Sequence, residues 1–219
     1  MSNYTVVAPN TKSNKKKYND LVKGWWNWVY TPNCDNNNTD YKLNVTFFRD
    51  DIIGSELVLK AGISSTAIQL QQCHTKSVTI EAGSNIFLPV YHVNTVIDHP
   101  YGDGRKCGNI QRCKESSRND LGNLYLQWAK IKVNGGNERH ITNNLKNHYF
   151  ESDEFTLIVK GKHYLNREQG YSLRNDTHRG VAFGTYLLLN NFQPGTYELD
   201  FGGKATNYRT RAVYNLTVK

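Results

Sequence analysis

Polar and apolar positions are most regular near the C-terminus of the 219-residue chain. Residues 181–189 form an apolar run of strand length, and residues 190–195 are mostly turn-forming types. In residues 196–202 and 211–218 apolar side chains alternate with polar ones, as in strands with one buried face. The pattern predicts three consecutive β-strands, the first two joined by a short turn.

Shorter strand-like runs occupy much of the preceding chain, and glycines separate several of them. Residues 86–93 are almost continuously apolar, which indicates a strand buried on both faces, and Pro89 favours a sheet edge or a β-bulge there. About nine short strands with little helix predict an all-β fold, a single antiparallel β-sandwich or jelly roll. The other runs are residues 43–47, 56–61, 66–70, 78–80, 131–133 and 154–159.

Two short helices complete the predicted fold. In residues 15–30 apolar side chains recur at helical spacing, and Pro32 ends the run. Residues 33–40 are predicted to be a turn and residues 97–117 a long loop, because both are rich in turn-forming types. The second helix is predicted from an i, i+3, i+4, i+7 pattern at Leu121, Leu124, Tyr125 and Trp128.

Three of the four tryptophans, Trp25, Trp26 and Trp28, fall within the first predicted helix. Closely spaced aromatic residues at a helical period usually face a core, and their burial would hold a helix that Gly24 weakens. The alternative is a sugar-stacking or partner-docking face. We expect the first arrangement, a core plug laid against the sandwich.

The chain is basic, with a formal net charge of +8 and a pI near 9.2. We expect residues 1–17 to form a basic N-terminal arm ahead of a single sandwich domain, residues 18–219. Such a segment favours nucleic acid or another anionic surface, and a merely solvated face is the alternative. The basic residues of the arm are Lys12, Lys15, Lys16 and Lys17.

The four cysteines are too few for a disulfide scaffold. Cys107 and Cys113 are a candidate disulfide, and free thiols in the same loop are the alternative. Nearby potential metal ligands have a wider spacing than zinc sites use, so we expect no metal and no other cofactor. These potential ligands are His92, Asp98, His99 and Asp103, together with the two cysteines.

Enzyme motifs such as G-x-S-x-G, H-E-x-x-H and the P-loop do not occur in the sequence. Paired carboxylates could serve glycoside hydrolysis, but those present lie beside predicted turns and are expected to be solvated. We therefore expect no enzymatic activity and no catalytic residue. The carboxylates in question are Asp50, Asp51, Glu151, Asp153 and Glu154.

Three segments, taken in order, resemble a family of mostly secreted bacterial and archaeal proteins of uncharacterised function. Trp25-Trp26-Asn27-Trp28 resembles its WWxW opening, and residues 78–90 are similar to its strand-turn ending in FFPV. Residues 184–203 resemble its C-terminal hairpin, with Tyr197 where a histidine is common, and residues 214–218 its final Y-x-L-T-V strand. The resemblance implies a β-sandwich and no known reaction.

Two functions are compatible with these features. The first is a structural virion protein, a penton-like or minor capsid component of a large DNA virus; the chain is similar in outline to single jelly-roll capsid proteins, with protein neighbours or a homo-oligomer as partners. The second is a glycan- or cell-surface-binding module, which needs exposed tryptophans. The sequence has no run of roughly 18 apolar residues and no apolar leader. We thus expect no membrane span and a virion protein made in the host cytoplasm, or an extracellular protein if a leader has been removed.

Overall fold

Strands form two sheets that pack face to face in the computed structural model. The structure describes residues 3–9, 11–29, 37–40, 45–48, 51–52, 77–97, 109–122, 124–159, 177–205 and 209–219. Sheet 1 contains β1 (Thr5–Val7), β2 (Asn37–Asp40), β3 (Val45–Phe48), β6 (Ile86–Val96), β9 (Tyr149–Glu151), β10 (Phe155–Ile158) and β11 (Thr177–Asn190). Sheet 2 contains β4 (Asp51–Ile52), β5 (Ser77–Ile80), β7 (Leu124–Val133), β8 (Arg139–His140), β12 (Gly195–Ala205) and β13 (Arg209–Val218).

The longest strand, β11, organises sheet 1. It pairs with β6 along one side and with β10, β9 and β1 in turn along the other. In sheet 2, β12 lies between β7 and β13. The strands pair antiparallel except for β3 with β6 and β5 with β13, which are parallel. The predicted all-β sandwich is confirmed, as are the three C-terminal strands, although each extends further than its pattern indicated.

The inner core fills the space between the two sheets, because successive residues of a strand point to opposite faces. Ile86 and Leu88 of β6 pack into this core, while Phe87 between them faces the other side of sheet 1. Leu187 and Leu189 of β11 follow the same rule. Burial on both faces explains why residues 86–93 read as an unbroken apolar run.

Pro89 lies at a bulge in β6. In the ladder between β6 and β11, Tyr91 pairs with Thr185 and Pro89 pairs with Tyr186. Val90 is therefore the extra residue on β6. A proline cannot donate to the ladder, and an interrupted register accommodates it inside a sheet. The bulge prediction is confirmed.

Helix α1 (Lys12–Val29) covers the outer face of sheet 1. It begins earlier than predicted because Thr11 caps it: the Asn14 N–H donates to Thr11 Oγ1 (3.2 Å). The Tyr18 hydroxyl donates to the Val7 carbonyl at 2.6 Å, which ties the helix to β1. The described residues before position 18, which were predicted as a basic arm, supply an edge strand and the first turns of the helix.

Two further predictions are wrong. The second helix, α2, spans Ile110–Gly122, within and beyond the predicted loop, and residues 124–133 are strand β7. Asn109 caps α2, because its Oδ1 accepts the Arg112 N–H at 3.0 Å. Residues 37–40 were predicted as part of a turn, but they form β2, and pairing with β3 satisfies their backbone hydrogen bonds. The strands predicted at 56–61 and 66–70 lie outside the described residues.

Candidate functional site

The tryptophan stretch lies between α1 and sheet 1. Trp25, Trp26 and Trp28 are exposed by only 1%, 5% and 6%, and they join one cluster with Tyr186 and Leu188 of β11. The Trp25 and Trp26 rings meet edge to face, with centroids 4.8 Å apart. No indole face in this stretch is available to a ligand, so these residues serve the core.

His92 is enclosed by the same aromatic rings. Its centroid lies 4.5 Å from that of Trp25 and 5.2 Å from that of Trp26, edge to face in both pairs. Burial lowers the pKa of His92 to about 3, because the low-dielectric surroundings disfavour the imidazolium. His92 is therefore neutral in the folded protein at physiological pH and acts as a packing residue.

The lysines of the predicted arm all lie on α1. Lys12, Lys15 and Lys16 are exposed, and Lys17 is partly buried. Lys15 Nζ lies 3.9 Å from Asp153 Oδ1, a solvent-exposed pair that contributes little to stability. The helix thus presents a cationic first turn at the surface, held in a fixed position by the cap at Thr11.

A cleft of about 490 Å³ lies beside this first turn. We call it the cationic cleft because Lys12 and Lys15 line it. Glu151 is the one carboxylate among its described lining residues, and it accepts two hydrogen bonds from Arg118, at 2.7 and 2.8 Å. The Tyr149 hydroxyl also reaches Glu151, at 3.2 Å. The other lining residues are Pro9, Thr11 and Phe150.

The candidate carboxylates are engaged in ion pairs. The Arg118 guanidinium holds the pKa of the Glu151 carboxyl below its usual value, and Arg179 does the same for Glu154 through hydrogen bonds of 2.7 Å. Both side chains are therefore ionised at neutral pH, whereas a general acid of glycoside hydrolysis needs a raised pKa. Asp153 is exposed and bonds to Asn19 of α1, and Asp50 lies outside the described residues.

Cys113 is buried on α2 against Ile97, Val181 and Phe183. Cys107 lies outside the described residues, so their pairing stays a prediction. Asp98, His99 and Asp103 also lie outside them, and the described part of the chain contains no group of three or more side chains arranged to hold a metal ion.

A second cleft, of about 450 Å³, lies between the beginning of β7 and the chain that follows β8. We call it the amide cleft because Gln127, Asn143 and Asn144 contribute to its wall. Sequence reasoning missed it, because Gln127 and the asparagines are far apart in the chain and carry no shared motif. The remaining lining residues are Leu126, His140, Thr142, Leu145 and Lys146.

No model of a known protein family matches this chain, and no curated protein sequence matches it. Among the described residues, no helix combines the length and the apolar character needed to cross a bilayer.

Proposed function

We propose that this chain is a non-enzymatic structural protein, a penton-like or minor capsid component of a large DNA virus. The observation that carries the proposal is that a helix with exposed lysines packs firmly against a two-sheet sandwich. Helix α1 seals the outer face of sheet 1 and presents Lys12, Lys15 and Lys16 to solvent. A capsid building block needs a rigid body of this kind and a surface complementary to acidic neighbours.

The proposal includes jelly-roll connectivity, in which the chain passes repeatedly from one sheet to the other. Crossings occur from β5 to β6, from β6 to β7, and again from β11 to β12. The proposal also draws on the resemblance to the family of mostly secreted proteins with a WWxW opening, which implies a β-sandwich and no known reaction. The corresponding location is the virion, after synthesis in the host cytoplasm, with an extracellular location as the alternative.

The partners in this proposal are neighbouring capsid subunits, identical or not, and nucleic acid at the first turn of α1. Exposed lysines bind phosphates as point charges and release counterions, so such binding weakens steeply with salt. The alternative function, a glycan-binding module built on Trp25, Trp26 and Trp28, loses its main support because these rings are buried.

Assembly is the decisive test. Purified protein is examined by analytical ultracentrifugation and by negative-stain microscopy, and we expect a closed ring, five-fold for a vertex protein. Mass spectrometry of particles from the source should also detect the chain. A strictly monomeric protein that is missing from every particle would refute the capsid role.

Nucleic-acid binding is tested separately by measuring affinity for a DNA duplex over a range of salt concentrations. Lys12→Gln combined with Lys16→Gln should reduce the salt slope by about 0.9 for each phosphate contact that is lost. Lys204→Gln combined with Lys219→Gln removes the same charge from exposed positions elsewhere and is the matched control. Equal slopes for the two double variants would remove nucleic acid from the proposal without affecting the capsid role.

A further inference from the structure

The cationic cleft contains an aromatic ring that is held in place and partly exposed. Tyr149 lines the cleft and is 38% exposed, and Pro9 and Phe150 supply further apolar lining. Burial, together with the charge of Glu151, raises the pKa of Tyr149, so the phenol keeps its proton and donates to Glu151 Oε1 at 3.2 Å. Because this bond orients the ring, a planar ligand can stack on it with little loss of side-chain entropy.

Cations reach the cleft from both helices. Lys12 and Lys15 of α1 line it. From α2, Arg118 binds Glu151 through two nitrogens, at 2.7 and 2.8 Å. Lys114, also on α2, is close enough to add to the effect of Arg118 in lowering the pKa of the Glu151 carboxyl. The positive charge around the cleft is thus set by the fold and not by one run of the sequence.

Further lysines continue from the cleft along α1. Lys12, Lys16 and Lys23 are exposed, and at 3.6 residues per turn they fall within about 40° of arc on the helix. At 1.5 Å per residue they span about 16 Å along the helix axis. We call these three residues the lysine stripe. Since the stripe begins at the cleft, several consecutive phosphates of one strand can follow it away from the cleft.

Carboxylates near these cations do not cancel their charge. Glu151 is already paired with Arg118. Lys15 lies 3.9 Å from Asp153, but an exposed pair of this kind is weak, so a phosphate can take the place of the carboxylate. Asp20 is the one acidic residue in α1. An excess of positive charge therefore remains for an anionic ligand.

An aromatic ring beside a line of cations narrows the ligand class. A simple inorganic anion would use the lysines alone, and a duplex keeps its bases stacked inside the helix, away from the Tyr149 ring. An unpaired strand offers a base to the ring and consecutive phosphates to the lysines, the combination found in sites for single-stranded nucleic acid. The cleft volume of about 490 Å³ lies in the range of small-ligand sites, so it can admit a base.

We propose that the cationic cleft binds single-stranded nucleic acid, with one base stacked on Tyr149 and the adjoining phosphates on Lys12 and Lys15. The strand then follows the lysine stripe along α1. This inference rests on the nucleic-acid partner of the proposed function and narrows that partner to an unpaired strand. It does not depend on the capsid role.

The test measures fluorescence anisotropy of the full chain with a labelled single-stranded oligonucleotide and with the duplex of the same length, over a range of salt concentrations. We expect the single strand to bind more tightly. Tyr149→Leu should weaken binding of the single strand about tenfold, within the range for one lost base stack, and leave duplex affinity unchanged. Tyr149→Phe keeps the ring and is the matched control. Lys12→Gln should lower the salt slope by about 0.7 for a lost phosphate contact, whereas Lys204→Gln should not.

Each outcome separates this inference from the function on which it rests. Equal affinity for single strand and duplex, or wild-type affinity in a folded Tyr149→Leu variant, would overturn the single-strand site and leave nucleic acid as a partner. A free mononucleotide that binds as tightly as the oligonucleotide would overturn the assignment to a strand, because the lysine stripe would then add nothing. A folded wild-type protein that binds neither single strand nor duplex would overturn both the site and the nucleic-acid partner.

Discussion

The side chain of Asn27 on α1 pairs with the backbone around Ile158 on β10 as a neighbouring strand would. Its Oδ1 accepts the Ile158 N–H at 2.7 Å, and its Nδ2 donates to the Thr156 carbonyl at 3.2 Å. Asn27, the polar residue within the tryptophan stretch, thus forms hydrogen bonds with backbone groups that an edge strand otherwise leaves unpaired. It also fixes the helix against sheet 1 where Trp26 and Trp28 enter the core.

Asn27→Ala removes both hydrogen bonds and should destabilise the protein by about 1–2 kcal/mol, as two exposed bonds of ordinary net strength would. The effect should be measurable by chemical denaturation, and hydrogen exchange at the Ile158 amide should accelerate more than exchange in β12. Lys23→Ala on the same helix is the control, because Lys23 is exposed and such surface changes usually stay within about 0.5 kcal/mol. Equal losses in the two variants would contradict a specific role for Asn27.

Trp25 is the most deeply buried of the tryptophans in α1. Trp25→Ala should destabilise the protein by about 3–5 kcal/mol, the usual cost of truncating a large buried aromatic residue. Trp128→Ala provides the comparison, since Trp128 is only partly buried and its indole N–H donates to Asp200 at 2.8 Å, so a smaller loss is expected. A melting temperature unchanged by Trp25→Ala would return this stretch to the list of binding surfaces.

Regular alternation made β12 and β13 predictable, whereas α2 was missed for a physical reason. Tyr214, Leu216 and Val218 face the inner core at every second position, so their pattern alone indicates a strand. Most residues of helix α2 are polar, which leaves almost no periodic apolar signal, and among its described side chains Cys113 is buried and Ile110 partly buried. The cap at Asn109 was the available sign of it. Trp128 misled because its i, i+3, i+4, i+7 spacing overlaps a segment that also alternates as a strand.

The candidate sites depend less on pattern and more on tertiary contact. The lysines of α1 were identifiable as a basic cluster, and Lys15, Lys16 and Lys17 fell within the predicted helix, but only the structure extends that helix back to Lys12. Gln127 has no distinguishing sequence context, and only folding brings it to the same cleft as Asn143. Such a juxtaposition cannot be read from spacing along the chain.

Gly203 of β12 provides room for the ring of Tyr91, which crosses from sheet 1. A methyl group at Gly203 would stand 2.8 Å from Cγ of Tyr91 and overlap Cδ2. Gly203→Ala should therefore cost about 1–3 kcal/mol through overpacking, measured by chemical denaturation. In a Tyr91→Leu background the same change should cost less, because the ring is gone, and a double-mutant cycle measures this coupling. Additive effects of the two changes would exclude the steric explanation.

His92 should make the protein less stable as the pH falls. Its pKa is lowered by burial from 6.5 to about 3, so the unfolded chain takes up this proton first. Stability present above pH 6.5 is lost as the pH falls toward 3, at up to about 1.4 kcal/mol per unit. His148, whose pKa burial also lowers, contributes in the same direction. His92→Phe should reduce the slope of unfolding free energy against pH between about pH 5 and pH 6.5, the upper part of the range in which only the unfolded chain binds this proton. A slope that His92→Phe leaves unchanged would mean that His92 is not the group responsible.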